Sequence, residues 1–233
     1  MDVLAKLDGE MPTETGACRE TSAWFQSILA IALVPIVAVP VILTMLVLRL
    51  AQGAPVFFKQ WRIGYRGRRF RILKLRTMRD ERDGDGVLLP DDMRQTSLTR
   101  TIRRLRFDEL VQLVNIIRGE LAFIGPRPLT SQVLATFGTL ANVRCRVRPG
   151  VTGWAQINGN TRLTDSEKLA LDVWYVDHRS LGLDLFIAFA TIRTILRGEH
   201  VHDERLERAK RHVKHRYGEL ALTGAPTGTG GDA

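Results

Sequence analysis

From Thr21 to Leu48 the chain runs 28 residues without a charged side chain, and at Arg49 it turns abruptly basic. A hydrocarbon core about 30 Å thick takes roughly 20 apolar helical residues to cross, so the run is long enough to reach across once. Pro35 and Pro40 lie inside it. Proline removes a backbone donor and crowds the preceding turn, so a kinked membrane helix over residues 21–50 is expected rather than a straight one. A kink permits a re-entrant hairpin, provided the freed carbonyls find partners from Thr44, Ser27 or neighbouring protein. A cleaved signal peptide fits poorly, because residues 1–20 carry five carboxylates against Lys6 and Arg19 and the apolar run is too long.

Positive charge near a membrane segment stays on the cytoplasmic side. Between Arg49 and Glu120 there are 17 Lys and Arg against nine Asp and Glu, which accounts for most of the formal net charge of +9. The body of the protein is therefore expected on the cytoplasmic face of the inner membrane. A spanning segment would put the acidic N-terminus outside, and a re-entrant one would keep both ends inside; the charge pattern alone leaves both open. Juxtamembrane Lys and Arg are drawn to anionic head groups at about 1 kcal/mol each, which explains the basic composition without a nucleic acid. No zinc-finger spacing, RNA-binding aromatic motif or basic region leading into heptads is present, so nucleic acid is not an expected partner. Cys18 and Cys145 fall on opposite sides of the apolar run and are expected as free thiols.

The remaining chain is enough for one catalytic domain, taken as residues 51–200, followed by a basic helix (201–222) and a Gly- and Thr-rich disordered tail (223–233). Short strands are expected near Val56 to Gln60 and Arg69 to Leu75, with Gly64 and Gly67 turning the chain between them. The acidic stretch from Asp80 to Asp92 reads as a mobile loop. Apolar spacing from Thr99 to Arg118 predicts a helix, broken near Phe107, that carries Asp108 and Glu109 beside Arg103, Arg104 and Arg106. An arbitrary Asp-Glu pair is usually an exposed helix surface; near a helix start and three arginines it can also ionise readily, hold a metal or act as a nucleophile.

Gly125-Pro126-Arg127-Pro128 restricts an arginine between two prolines, as a structural turn or as a fork aimed at a phosphate. Arg148 to Gln156 forms a Gly-rich turn with Trp154, and Gln156 in it is a candidate substrate contact. Leu171 to Val176 and Leu181 to Leu196 read as helices. For the second, core packing is the simpler expectation and insertion into the membrane interface the alternative. Arg205 to Arg216 reads as a solvated or lipid-facing helix.

In unbroken order over roughly Ser27 to Gly198, these pieces resemble the bacterial sugar transferases, the monotopic phosphoglycosyl transferases. The resemblance rests on the Pro-interrupted apolar segment, GAPVFFKQ (53–60), KLRTM (74–78), FDELVQL (107–113), NIIRGELAFIGPRP (115–128), VRPGVTGWAQING (147–159) and LDVWYV (171–176). It implies an enzyme that moves a sugar phosphate from a UDP-sugar to polyprenyl (undecaprenyl) phosphate, releasing UMP and initiating surface glycan assembly, such as exopolysaccharide. It implies Asp108 as the nucleophile of an aspartyl phosphosugar intermediate and Glu109 as the ligand of a Mg²⁺ that bridges the diphosphate. Lys74, Arg103 and Arg127 match positions expected near phosphates, and Asp172 and Asp184 match further acidic positions. The prolines match a re-entrant helix, with Pro40 as the break and Pro35 an extra. The implied fold is mixed α/β, a small sheet or hairpin with several amphipathic membrane-interface helices, and a homodimer is a further expectation. A non-catalytic lipid-binding scaffold on the same framework is the alternative. The chain departs from the family pattern at Trp24-Phe25-Gln26, at Arg106 where a Ser or Thr cap is usual, at Leu121-Ala122, and at Asn160 where an Arg is common.

Overall fold

The computed structural model describes residues 23–218. The acidic segment 1–20, Cys18 and the tail from 219 onward lie outside the described residues.

Helix α1 (Ala23–Gln52) covers the whole apolar run, with Pro35 and Pro40 inside a single helix of 30 residues. Thr44 donates its hydroxyl to the Pro40 carbonyl at 2.7 Å. Most of its apolar side chains face outward, Ile36 at 70% exposure among them. Two short stretches face inward. Near the start, Ala30 is buried with Phe70, Ile72, Ile116 and Leu121, Ser27 donates to the Ile116 carbonyl at 3.2 Å, and the Phe123 amide donates to Gln26 at 3.1 Å. Near the end, Leu48 is buried with Leu75, Ile102 and Val111. Both ends of the apolar helix therefore rest on the same domain.

Strands β1 (Phe57–Ile63) and β2 (Arg69–Leu75) pair antiparallel, with Phe58 opposite Lys74 and Ile63 opposite Arg69. β1 extends three residues beyond the end expected from sequence. The connection is tight because Arg66 and Gly67 both take left-handed backbone (φ 52° and 73°), which brings the Gly64 amide to the Arg68 carbonyl at 2.8 Å. In the acidic segment that follows, Asp83 accepts from the amides of Asp85 and Val87, as short Asx turns do.

The helix expected over 99–118 is three elements. α2 (Ser97–Arg104) starts at a capping box between Thr96 and Thr99, a 3-10 turn runs Phe107–Gln112, and α3 is Leu113–Ile117. Arg106 separates them in left-handed backbone (φ 58°), so the chain changes direction and the two carboxylates open a new helical turn. Periodicity located the break near Phe107 but not the reversal, because no Gly or Asn marks the left-handed position.

β3 (Ala122–Ile124) pairs in parallel with β4 (Gly150–Thr152), the connection between them carrying α4 (Ser131–Ala135) and α5 (Leu140–Arg144). α6 (Trp154–Ile157), α7 (Asp165–His178), α8 (Leu181–Arg197) and α9 (Asp203–Tyr217) complete the order. The largest core gathers Leu140, Leu169, Leu171, Val173, Tyr175 and Ile187. α9 joins it: Leu206, Ala209 and Val213 are buried against α7, so this basic helix is solvated on one side only.

α8 differs from the simpler expectation of core packing. Ile187 is its one fully buried apolar side chain, while Leu181, Leu185, Phe189, Ile192 and Leu196 form an exposed stripe, Phe189 at 72%. A helical apolar period shows that a face seeks a nonpolar environment and does not say whether protein or lipid supplies it.

Candidate active site

Three local devices bring the charged residues together. Asn115, buried in α3, accepts from the Leu73 amide at 3.1 Å and donates to the Arg71 carbonyl at 2.8 Å, so it fixes β2 where Lys74 leaves the strand. The left-handed turn at Arg106 swings Asp108 and Glu109 toward that strand. Gly125, Gly150 and Gly153 let backbones touch: a Cβ on Gly150 would lie 2.1 Å from the Gly125 nitrogen, and one on Gly153 would lie 2.1 Å from the Gly125 oxygen. That contact seats the Gly-Pro-Arg-Pro element against the β4–α6 turn and carries Arg127 to the carboxylates.

Glu109 is surrounded by cations. Lys74 Nζ lies 2.9 Å and Arg127 Nη1 3.5 Å from Oε1, and Arg106 Nη1 lies 3.0 Å from Oε2. Burial opposes its charge, but Lys74, Arg127 and Arg106 together outweigh that and hold the carboxyl well below the usual range. In return, burial and the neighbouring Arg127 depress Lys74, even though Glu109 favours its charged form. Arg106, which stands where a hydroxyl cap is usual, thus serves its turn by an ion pair three residues on.

Asp108 is also buried yet forms no side-chain ion pair among the described residues. Burial and the adjacent Glu109 charge push its carboxyl up to about 6, with Lys74 and Arg103 pulling the other way. The two adjacent carboxylates thus sit in opposed environments. Glu109 stays ionised and engaged, and Asp108 is held unpaired at the wall of a cavity.

The cavity encloses about 710 Å³ and contains Lys74, Arg103, Asp108, Glu109, Arg127, Gln156 and Asp172 of the residues singled out from sequence. Asp184 does not line it. It accepts from the Tyr175 hydroxyl at 2.6 Å and lies 3.5 Å from Arg179 Nε, tying the α7–α8 corner together. Asp172 lies deep in the cavity wall and accepts from Arg144 Nε at 2.8 Å; burial nonetheless pushes its carboxyl upward. Arg144 also donates to the Arg127 carbonyl, linking Asp172 to the Gly-Pro-Arg-Pro element. Sequence reasoning missed Arg144, since its partners lie 17 and 28 residues away and its Val-Arg-Cys-Arg surroundings look like a charged surface. Glu199, which accepts from Asn160 and from the Thr161 amide and hydroxyl at the cavity edge, was missed for the same reason.

Among the described residues, no three His, Cys, Asp or Glu side chains gather as a metal cage. The donor set suits Mg²⁺ in another way, because that ion uses one or two carboxylates and completes its shell from substrate phosphates. Glu109, ionised at the cavity wall, fits as such a ligand.

Residues 19–198 match the family described as bacterial sugar transferase. A protein from Bacillus subtilis (strain 168) named as the uncharacterized sugar transferase EpsL is 47% identical over 172 residues, covering 74% of this chain and 85% of that one. The exopolysaccharide production protein ExoY of Sinorhizobium fredii is 35% identical, covering 79% and 91%. The UDP-glucose:undecaprenyl-phosphate glucose-1-phosphate transferase of Caulobacter vibrioides is 34% identical, covering 75% and 70%. With the match spanning most of its length, this chain belongs to the bacterial sugar transferase family and is a transferase enzyme.

Proposed function

We propose that the enzyme transfers a sugar 1-phosphate from a UDP-sugar to a polyprenyl (undecaprenyl) phosphate and releases UMP. One Asp108 carboxylate oxygen attacks the phosphorus that bears the sugar; the bond from that phosphorus to the UMP oxygen breaks, leaving an aspartyl phosphosugar. A phosphate oxygen of the acceptor then attacks the same phosphorus, freeing Asp108 and forming the lipid diphosphate sugar. Two displacements let a water-soluble donor and a lipid acceptor use one site in turn.

The observation that carries this reading is the contrast between Asp108, unpaired at the cavity wall, and Glu109, engaged by three cations. Lys74, Arg103 and Arg127 are suited to hold the donor phosphates, and their charge would offset the charge that develops on the leaving group. Glu109 together with the donor would hold Mg²⁺, which when bound polarises the diphosphate and helps UMP depart.

Contacts of Ser27 and Leu48 with one domain support a re-entrant α1, both ends on the cytoplasmic side, with a bend at Pro40. A straight span would carry one end about 30 Å away from that domain. The exposed stripe of α8 supports a second contact with the membrane surface.

The test is UMP release by detergent-purified protein with polyprenyl phosphate, Mg²⁺ and a panel of UDP-sugars. Release with a preferred sugar supports the reading, and silence across the panel from folded protein contradicts it.

A further inference from the structure

The mechanism above leaves part of the cavity wall unused. Gln156 is 2% exposed, and neither its amide nitrogen nor its amide oxygen finds a partner among the described residues. One oxygen of Asp172, Oδ1, is buried and unpartnered in the same way, its other oxygen being taken by Arg144. All three polar atoms belong to residues that line the cavity. Leaving such groups buried and unpaired is unfavourable, so a site that keeps them is arranged for a ligand that pairs them.

The chemistry of that ligand follows from the surroundings. Two of the charges that line the cavity with Gln156 already have protein partners: Arg144 is paired with Asp172, and Lys168 with Asp165 at 3.2 Å. The buried unpartnered atoms of Gln156 and Asp172 are an amide donor, an amide acceptor and a carboxylate acceptor, a set that matches an uncharged group bearing hydroxyl or amide substituents. A UDP-sugar has two such parts, the sugar and the uracil ring. Position decides between them. The Gln156 amide oxygen and the Gly125 carbonyl crowd the same point, lying 2.8 Å and 2.1 Å from where a Gly153 Cβ would be. Gly125 opens the element that carries Arg127, and Arg144 joins Asp172 to the Arg127 carbonyl. The unpaired atoms therefore lie by the backbone of the element that carries Arg127. The sugar is bonded directly to the phosphorus that Asp108 attacks, whereas uracil is set apart from it by a second phosphate and a ribose.

We infer that Gln156 and Asp172 Oδ1 form the subsite for the transferred sugar, binding its ring substituents in the donor and in the aspartyl intermediate. This rests on the phosphoglycosyl transfer proposed above. Gln156→Leu removes both unpaired amide atoms at nearly constant volume, and because they stabilise nothing within the protein, its melting temperature should match or exceed that of the wild type. The experiment measures kcat/KM for the preferred UDP-sugar and, separately, inhibition by UDP, which keeps the uracil and phosphates but lacks the sugar. The expected result is a fall of about tenfold or more in kcat/KM with inhibition by UDP unchanged within twofold. Inhibition by UDP weakened as much as kcat/KM would give the contact to the nucleotide and overturn the inference. Unaltered kcat/KM would overturn it too. If wild-type protein releases UMP from no UDP-sugar, the transfer reading itself falls, and the sugar subsite with it.

Discussion

Lys74 Nζ lies 2.9 Å from Glu109 Oε1, and this contact, with those of Arg106 and Arg127, sets the environment of Glu109 apart from that of the adjacent Asp108. Glu109 is the negative centre of a small cationic cluster and cannot leave it without stranding buried charge. Asp108 forms no side-chain ion pair among the described residues, which suits the nucleophile role proposed for it.

Replacing Glu109 by Gln therefore does more than remove the metal ligand proposed above. Three cations lose their common partner in a buried setting, where breaking an ion-pair network costs on the order of 3 kcal/mol. Glu109→Gln should lower the urea midpoint accordingly and reduce UMP release at least a hundredfold at any Mg²⁺ concentration. Unchanged unfolding, measured by circular dichroism, would contradict the role of Glu109 as the hub.

For Asp108 the sign is reversed. Its folded carboxyl binds a proton more tightly than the unfolded chain does, at about 6 against 3.8, so its favourable contribution is complete below pH 4 and is lost as the pH rises toward 6. Above that the ionised group destabilises the fold, by on the order of 3 kcal/mol at most. Asp108→Asn should thus be inactive but more stable than wild type at pH 7.5, with the gain shrinking toward pH 4. Single-turnover UMP release by wild type should rise with pH through about 6 and then level off. A variant less stable at pH 7.5, or a rate indifferent to pH between 5 and 7, would contradict this.

The glycine contacts at the site allow little tolerance. Gly150→Ala would place a methyl 2.1 Å from the Gly125 nitrogen and 2.5 Å from the Thr152 oxygen, both backbone atoms that cannot rotate away. A loss of more than about 3 kcal/mol is expected, together with loss of activity. Gly84→Ala, where nothing lies within 4 Å of the added carbon, serves as the control and should melt with the wild type.

The topology of α1 is open to chemical labelling. In protein lacking Cys18 and Cys145, Trp24→Cys and Leu50→Cys should both react with a membrane-impermeant maleimide in inside-out vesicles and neither in intact spheroplasts. Labelling of position 24 from the outside would make α1 a through-span.

What could be read from the sequence was the part encoded locally. The uncharged run, the Gly64–Gly67 turn and the strand that leads to Lys74 all carry short-range signatures, and the order of motifs pointed to the family that the comparisons show. What could not be read depends on distant partners. Arg144 reaches Asp172 and the Arg127 carbonyl across the fold, with no local pattern to announce it. Arg106 adopts left-handed backbone without a glycine, so the reversal that aims Asp108 was hidden. Asp172 and Asp184 look equivalent as acidic residues on helices, yet only Asp172 faces the cavity; Asp184 is bound to Tyr175 and Arg179. In α8 the apolar period was legible and its environment was not.

The most direct test of the central claim is intact-protein mass spectrometry after mixing the purified enzyme with its preferred UDP-sugar and Mg²⁺ in the absence of any lipid acceptor. The account predicts a mass increase of one sugar phosphate, located on the peptide containing Asp108, absent from Asp108→Asn and discharged on adding polyprenyl phosphate. UMP release that needs the acceptor and proceeds with no adduct, or an adduct that persists in Asp108→Asn, would contradict it.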